Sequence, residues 1–263
     1  MSFDLLFDPL FRVPFFTGLL LAGLLPLIGM YLRLRNEWLA ALAFAQMASA
    51  GALLAMVLDW PMVIGGVLAA LLAALLKGLA ARAGANAYAL MMLLAWAGGV
   101  LLVANHPLAE QAGHALFDGQ LYFTGEGHLA AAALVCVVVL PLLAWLSRPL
   151  LLGRFFPAFY RARGRSERPR LMLFDLLAGL AVALATVSLG VMAAFALVFV
   201  PPLIAYRFGN SWRTGLAWSA AIGMVGYSCA FAASLGFDQP FGPVCVLLMV
   251  MLFVVSSVKY DRM

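Results

Sequence analysis

Apolar residues run along this chain in long blocks, and the polar positions fall almost wholly between them. A helix needs about 20 apolar residues to cross a bilayer. On that rule the pattern predicts spans near 12–32, 38–58, 62–81, 86–105, 128–147, 171–189, 191–207, 213–234 and 241–258. The stretch 171–207 is too long for one span, and Ser188-Leu189-Gly190 is the turn expected within it. The expected fold is all-α: a polytopic integral membrane protein of about nine transmembrane helices, one transmembrane domain over 1–263.

Composition agrees with that pattern. Hydrophobic residues make up 66% of the chain and charged residues 10%, against about 25% charged in soluble domains, and mean hydropathy is +1.05. A pI near 9.4 would suit a nucleic-acid binder, but the placement of the charges explains it better. With nine spans, Arg33, Arg35, Lys77, Arg82, Arg207, Arg213, Lys259, Arg262 and all the arginines between Arg148 and Arg170 fall on one side. Only Arg12 falls on the other, together with Asp4, Asp8, Asp59, Glu110, Asp118, Glu126 and Asp238. The positive-inside rule makes the basic side cytoplasmic, so the amino terminus is expected outside and the carboxyl terminus inside. One span more or fewer would scramble the segregation. The implied partner is the lipid bilayer, with no nucleic acid.

The largest polar interruption is 148–170, where Arg148, Arg154, Arg161, Arg163, Arg165, Arg168 and Arg170 meet a single acid, Glu167. Its centre, Phe155-Phe156-Pro157-Ala158-Phe159-Tyr160, is aromatic and reads as a short helix lying flat at the membrane face. Such a helix offers an apolar knob on a cationic collar to a soluble partner.

Other features stay open at this level. Pro26 and Pro141 interrupt the first and fifth spans, and Pro201-Pro202 the seventh. The double proline fits either a broken helix beside a pathway or a packing kink, since proline removes a backbone donor. Gln46 and Ser49 in the second span read as interhelical hydrogen-bonding groups or as pathway lining. Asp175 lies about one turn into the sixth span, suited to a helix amino terminus or to an ion site. His106, Glu110 and His114 are spaced by four and would share a helix face; two imidazoles and a carboxylate make an acceptable zinc set. The same loop could instead be only solvated, or contact a partner outside the membrane. Cys136, Cys229 and Cys245 sit in apolar runs and read as core residues. Asp4 and Asp8 stand where a secretory signal would be basic, so no cleaved signal is expected.

No enzyme constellation is present. There is no H-E-x-x-H, and neither Lys77 nor Lys259 follows a glycine, so the sequence holds no G-K-[ST] phosphate loop.

Five stretches together resemble the permease subunit of ABC importers for zinc or manganese. These are LLLAGLLPLIGMYLRLRNEWLAALAFAQMASAGALLA near the start, Leu116-Phe117-Asp118-Gly119, FPAFYRARG, VFVPPLIAYRF and FDQPFGPVCVLL. The third is similar to that family's coupling helix, with Pro157 and Gly164 on its proline and glycine. The last carries D-x-P-x-G-P through Asp238, Pro240, Gly242 and Pro243. The resemblance implies a type II ABC importer-like fold, a dimer with a second copy, and a cytoplasmic ATPase subunit docked on Phe155, Phe156, Pro157, Ala158, Phe159, Arg161 and Gly164. It also implies an extracytoplasmic substrate-binding protein and a location in the bacterial inner membrane. ATP would be used by the partner chain, no cofactor would be bound by this one, and zinc or manganese would be the cargo.

The translocation pathway implied by the resemblance passes Leu42, Gln46, Ser49, Pro201 and Pro202. At Leu42 and Gln46 the family usually carries an Asp and a His as metal ligands; leucine cannot ligate, and a glutamine amide is a poor zinc ligand. Ala158 also replaces the usual acid after the coupling proline. A metal–chelate or small organic cargo, or a stand-alone secondary transporter, is the alternative. The last would need more ionisable groups at mid-membrane than Asp175, and internal repeats, which the sequence does not display.

Overall fold

Eleven α-helices follow one another in the computed structural model, which describes residues 9–79, 85–119, 121–162 and 166–260. They are α1 (Pro9–Leu34), α2 (Leu39–Val57), α3 (Met62–Leu79), α4 (Ala85–Asn105), α5 (Pro107–Asp118), α6 (Glu126–Phe155), α7 (Pro157–Ala162), α8 (Arg168–Leu189), α9 (Val191–Phe208), α10 (Trp212–Phe237) and α11 (Phe241–Tyr260). A single 3-10 turn, Leu121–Phe123, separates α5 from α6. No strand occurs among the described residues.

Each predicted span overlaps a helix. Among the described residues, only seven of the nine fall on helices long and apolar enough to cross a membrane, while Met62–Gly78 and Phe241–Ser257 form shorter apolar helices. The turn expected at Ser188-Leu189-Gly190 is there: Gly190 ends α8 and begins α9 with φ 93° and ψ 159°, backbone geometry open essentially to glycine alone. Two expectations need correction. The basic segment was expected to leave the helix at Arg148, yet α6 continues through Pro149 to Phe155. An arginine near a span end carries its head out to water along an aliphatic stem, so Arg148 and Arg154 do not oblige the helix to stop. The break suggested by Pro201-Pro202 is also absent, and α9 runs through both.

The prolines are accommodated by glycines on neighbouring helices. Pro202 supplies no amide hydrogen to the carbonyl of Val198, four residues back. That carbonyl lies against Gly29 of α1, where an added Cβ would collide with it and meet the Pro202 ring at 2.8 Å. The same device recurs between α1 and α10. Pro26 leaves the Ala22 carbonyl without its helical donor, and Gly223 packs there, with room for no Cβ. Ser219 donates to the Pro26 carbonyl at 3.2 Å. Close approach of backbones through small residues is how helices associate where lipid offers no hydrophobic drive.

α8 lies at the centre of the bundle. It is buried continuously from Phe174 to Leu189 apart from two half-exposed positions, and it packs against α2, α3, α6 and α9. α4 is peripheral, with Leu90, Leu93, Leu94, Trp96 and Leu101 exposed, as a lipid-facing helix requires. Trp212 begins α10 behind a capping box, in which Ser211 and Thr214 satisfy each other's backbone amides.

Candidate functional site

α2 and α9 pack together and present one continuous wall. On α2, Leu39, Leu42, Gln46, Ala50 and Leu54 form a half-exposed to exposed stripe at helical spacing, and Met47, Gly51, Met56 and Val57 are half-exposed as well. On α9 the corresponding stripe is Met192, Phe195, Phe199, Leu203 and Tyr206. Trp38 joins the two, its ring 5.3 Å from that of Phe199, which stacks on Phe195 at 5.4 Å. Leu42 and Gln46 therefore stand on the wall, whereas Ser49 is buried. Pro201 and Pro202 are both buried; Pro202 lies against Gly29 of α1 and lines a small cavity together with Trp38 and Phe199. The wall carries no acid, base or histidine.

One end of the bundle gathers charge. Arg35 follows α1, Lys77 ends α3, and Asp175 lies two turns into α8. Asp175, with a side chain only 3% exposed, accepts from Arg35 at 2.9 Å and from Lys77 at 2.5 Å. Glu37 accepts from the same two cations at 2.7 and 2.8 Å. The result is a neutral ring of two cations and two carboxylates joining α1, the α1–α2 turn, α3 and α8. Phe174 lies under the Arg35 guanidinium and Tyr88 under the Lys77 ammonium. Asp175 was expected to suit a helix start or an ion site; its bond to Lys77, 98 residues away, is a tertiary contact that the local pattern does not encode. The signal available was that Arg35, Lys77 and Asp175 were expected at the same membrane face.

The junction of α6 and α7 sits at this same end, with Tyr160 and Arg35 lining one cavity. α6 stops at Phe155, Phe156 adopts a non-helical conformation, and α7 begins at Pro157. Phe155 and Phe156 are 64% and 63% exposed, and Ala158 is exposed beside them. Tyr160 turns inward instead: it is buried, donates to the Pro149 carbonyl at 3.1 Å, and carries the Arg170 guanidinium on its ring at 5.1 Å. α7 is thereby fastened to α6 and α8 by its inner face while the preceding phenylalanines project. Gly164 lies outside the described residues, as does the side chain of Arg161.

At the other end, two of the stretches noted in the sequence meet. Gly119, with φ 89°, lies where an added Cβ would come within 2.6 Å of the Leu189 carbonyl and 3.2 Å of the Gly242 amide nitrogen. Gly190 meets the Cα of Gly119 and the carbonyl of Leu116. The glycine of Leu116-Phe117-Asp118-Gly119, the α8–α9 hinge and the glycine of Asp238-x-Pro240-x-Gly242-Pro243 thus form one clasp. Tyr122 and Ser234 hydrogen-bond across the same end, and burial raises the Tyr122 pKa despite that bond.

His106 stands in the break between α4 and α5, its carbonyl accepting from the Ala109 and Glu110 amides. It and Glu110 are exposed, and the side chain of His114 is outside the described set. Among the described residues no three His, Cys, Asp or Glu side chains converge as a metal site.

Two solved structures share this architecture. PsaBC from Streptococcus pneumoniae, in complex with Fab, superposes with a TM-score of 0.84 at 20% identity, over 96% of this chain and 93% of that one. A metal-chelate type ABC transporter in an inward-facing conformation gives 0.75 at 17% identity, over 94% and 85%. Residues 8–260 match the model of the ABC 3 transport family. The chain belongs to that family, and is the membrane-embedded permease of an ABC transporter.

Proposed function

We propose that this permease pairs with a second copy of itself and carries a divalent metal ion, zinc first and manganese second, into the cell. The energy comes from a separate ATPase subunit docked on α7 and its flanks, and the cargo from an extracytoplasmic binding protein. The amino terminus faces outside and the carboxyl terminus the cytoplasm, which follows from the charge segregation. The observation that carries this reading is the α6–α7 junction. An aromatic corner, Phe155-Phe156, projects from the basic end of the bundle while Tyr160 anchors the short helix behind it.

In this account ATP-driven closure of the ATPases presses the paired α7 helices. Because Tyr160 ties α7 to α6, and Arg170 ties it to α8, the push is delivered to the most buried helix of the bundle. α8 and α9 then tilt about Gly190, and the α2–α9 wall opens alternately to the two sides.

Replacing Phe156 by alanine, and separately Arg161 by alanine, should leave a folded permease whose ATPase partner hydrolyses ATP without matching uptake. Wild-type ratios of uptake to hydrolysis in both variants would refute the docking assignment.

The α2–α9 wall favours a second reading of the cargo. With Leu42 and Gln46 where ionic ligands would be needed, and with Phe195, Phe199 and Met192 alongside, the wall suits a metal–chelate complex or an apolar organic molecule. Uptake competition among free zinc, free manganese and chelated metal separates the two readings.

A further inference from the structure

Between the end of α6, the inner face of α7 and the start of α8 lies a cavity of about 150 Å³. Its aliphatic lining comes from Pro149, Leu150 and Leu171, and its polar lining from Arg35, Arg154, Arg170, Glu167 and Tyr160. The charges are unevenly spent. Arg35 is already paired with Glu37 and Asp175. Glu167 faces Gly153, whose added Cβ would lie 2.9 Å from the carboxylate. Arg170 rests its guanidinium on Tyr160, and its Nη1, out of contact with solvent, has no hydrogen-bond acceptor among the described residues.

A buried guanidinium nitrogen without an acceptor is costly. The chemistry that relieves it is an anionic oxygen, and arginine's planar fork fits phosphate well. A cavity of about this size can hold a group as large as benzene, hence a phosphodiester. The aliphatic lining distinguishes a lipid from a simple ion: a phospholipid places its phosphate beside glycerol carbons at this depth, where helices leave the bilayer. Basic pockets between helix ends on the cytoplasmic side recognise such headgroups.

We infer that this cavity binds the phosphodiester of an anionic phospholipid, with Arg170 and Arg154 as its donors and Pro149, Leu150 and Leu171 against its glycerol region. The bound headgroup bridges α6, α7 and α8 beside the Tyr160 anchor. The inference is independent of the cargo.

The test uses the purified full chain in mild detergent and reads bound lipid by native mass spectrometry. It is titrated with phosphatidylglycerol, with phosphatidylcholine, or with inorganic phosphate. One saturable phosphatidylglycerol is expected, with phosphatidylcholine much weaker and inorganic phosphate unable to displace it at equal concentration. Arg170→Gln should weaken that binding by about tenfold, the loss of one charge-assisted hydrogen bond. Glu167→Gln should tighten it, a gain that a merely structural role for the pocket would not produce. Arg213→Gln, a cation elsewhere on the same face, should leave it unchanged. If Arg170→Gln does not fold, Arg154→Gln and Glu167→Gln still decide the matter. Equal lipid binding in wild type, Arg154→Gln and Glu167→Gln would overturn the inference. So would displacement by inorganic phosphate alone, or displacement by the assembled ATPase with a cross-link from that subunit to position 170.

Discussion

Removing the Asp175 carboxylate tests the energetic role of the charged ring. In Asp175→Asn the side chain keeps its shape but no longer offsets Lys77 and Arg35, whose side chains are only 10% and 11% exposed. Breaking a buried ion pair from one side costs about 3–5 kcal/mol, because a desolvated charge is left behind. Glu37 remains in contact with both cations, so the loss should fall near the lower limit, about 3 kcal/mol. Glu37 is 27% exposed and water can replace it, so Glu37→Gln should cost only about 1 kcal/mol. Lys77→Met removes a cation instead, and combining it with Asp175→Asn eliminates the mismatch. A cycle of these two substitutions should show a favourable coupling of about 2 kcal/mol, as contacting residues do. The assay is reversible unfolding in mixed micelles, followed by tryptophan fluorescence. Strict additivity of the two substitutions, or an Asp175→Asn loss no larger than that of Glu37→Gln, would refute the buried-ring argument.

Three further outcomes are expected. Gly190→Ala should destabilise the fold by about 1–3 kcal/mol, since the backbone there is nearly closed to other residues, and Gly119→Ala should act similarly through its contact with Leu189; unchanged melting of both would remove the glycine clasp. Installing Leu42→Asp with Gln46→His places a carboxylate and an imidazole one turn apart on the α2 wall, and should raise uptake of free zinc relative to chelated metal. No change in that ratio would place the cargo path elsewhere. Replacing His106, Glu110 and His114 together by alanine should lower uptake at limiting metal if the outer loop captures the ion, and unchanged uptake removes that role.

What could be read from sequence divides by range. Span positions follow from local apolar runs, and the hinge at Gly190 from the length of 171–207 and the glycine within it. The helix ends were less legible, because Pro149 and Arg154 suit a helix terminus as well as a loop, and only the packing of α6 decides between them. The double proline misled as a break because the partner that absorbs it, Gly29, lies on another helix some 170 residues earlier in the chain. The charged ring was partly visible, as Arg35, Lys77 and Asp175 were each expected at one face. Its closure depends on how α1, α3 and α8 rotate against one another, which no single-helix pattern encodes. Tyr160 shows the same limit: sequence grouped it with an exposed aromatic knob, and tertiary packing divides that knob into projecting phenylalanines and a buried anchor.

The central claim is that the α6–α7 corner faces the cytoplasm and is gripped by a nucleotide-hydrolysing partner. A single cysteine at position 158, in a chain with Cys136, Cys229 and Cys245 replaced, tests it in native membranes. The account predicts that Ala158→Cys is shielded from a membrane-impermeant maleimide added outside and cross-links to the ATPase subunit, in a yield that changes with ATP. Labelling from the exterior, with no cross-linked ATPase, would contradict it.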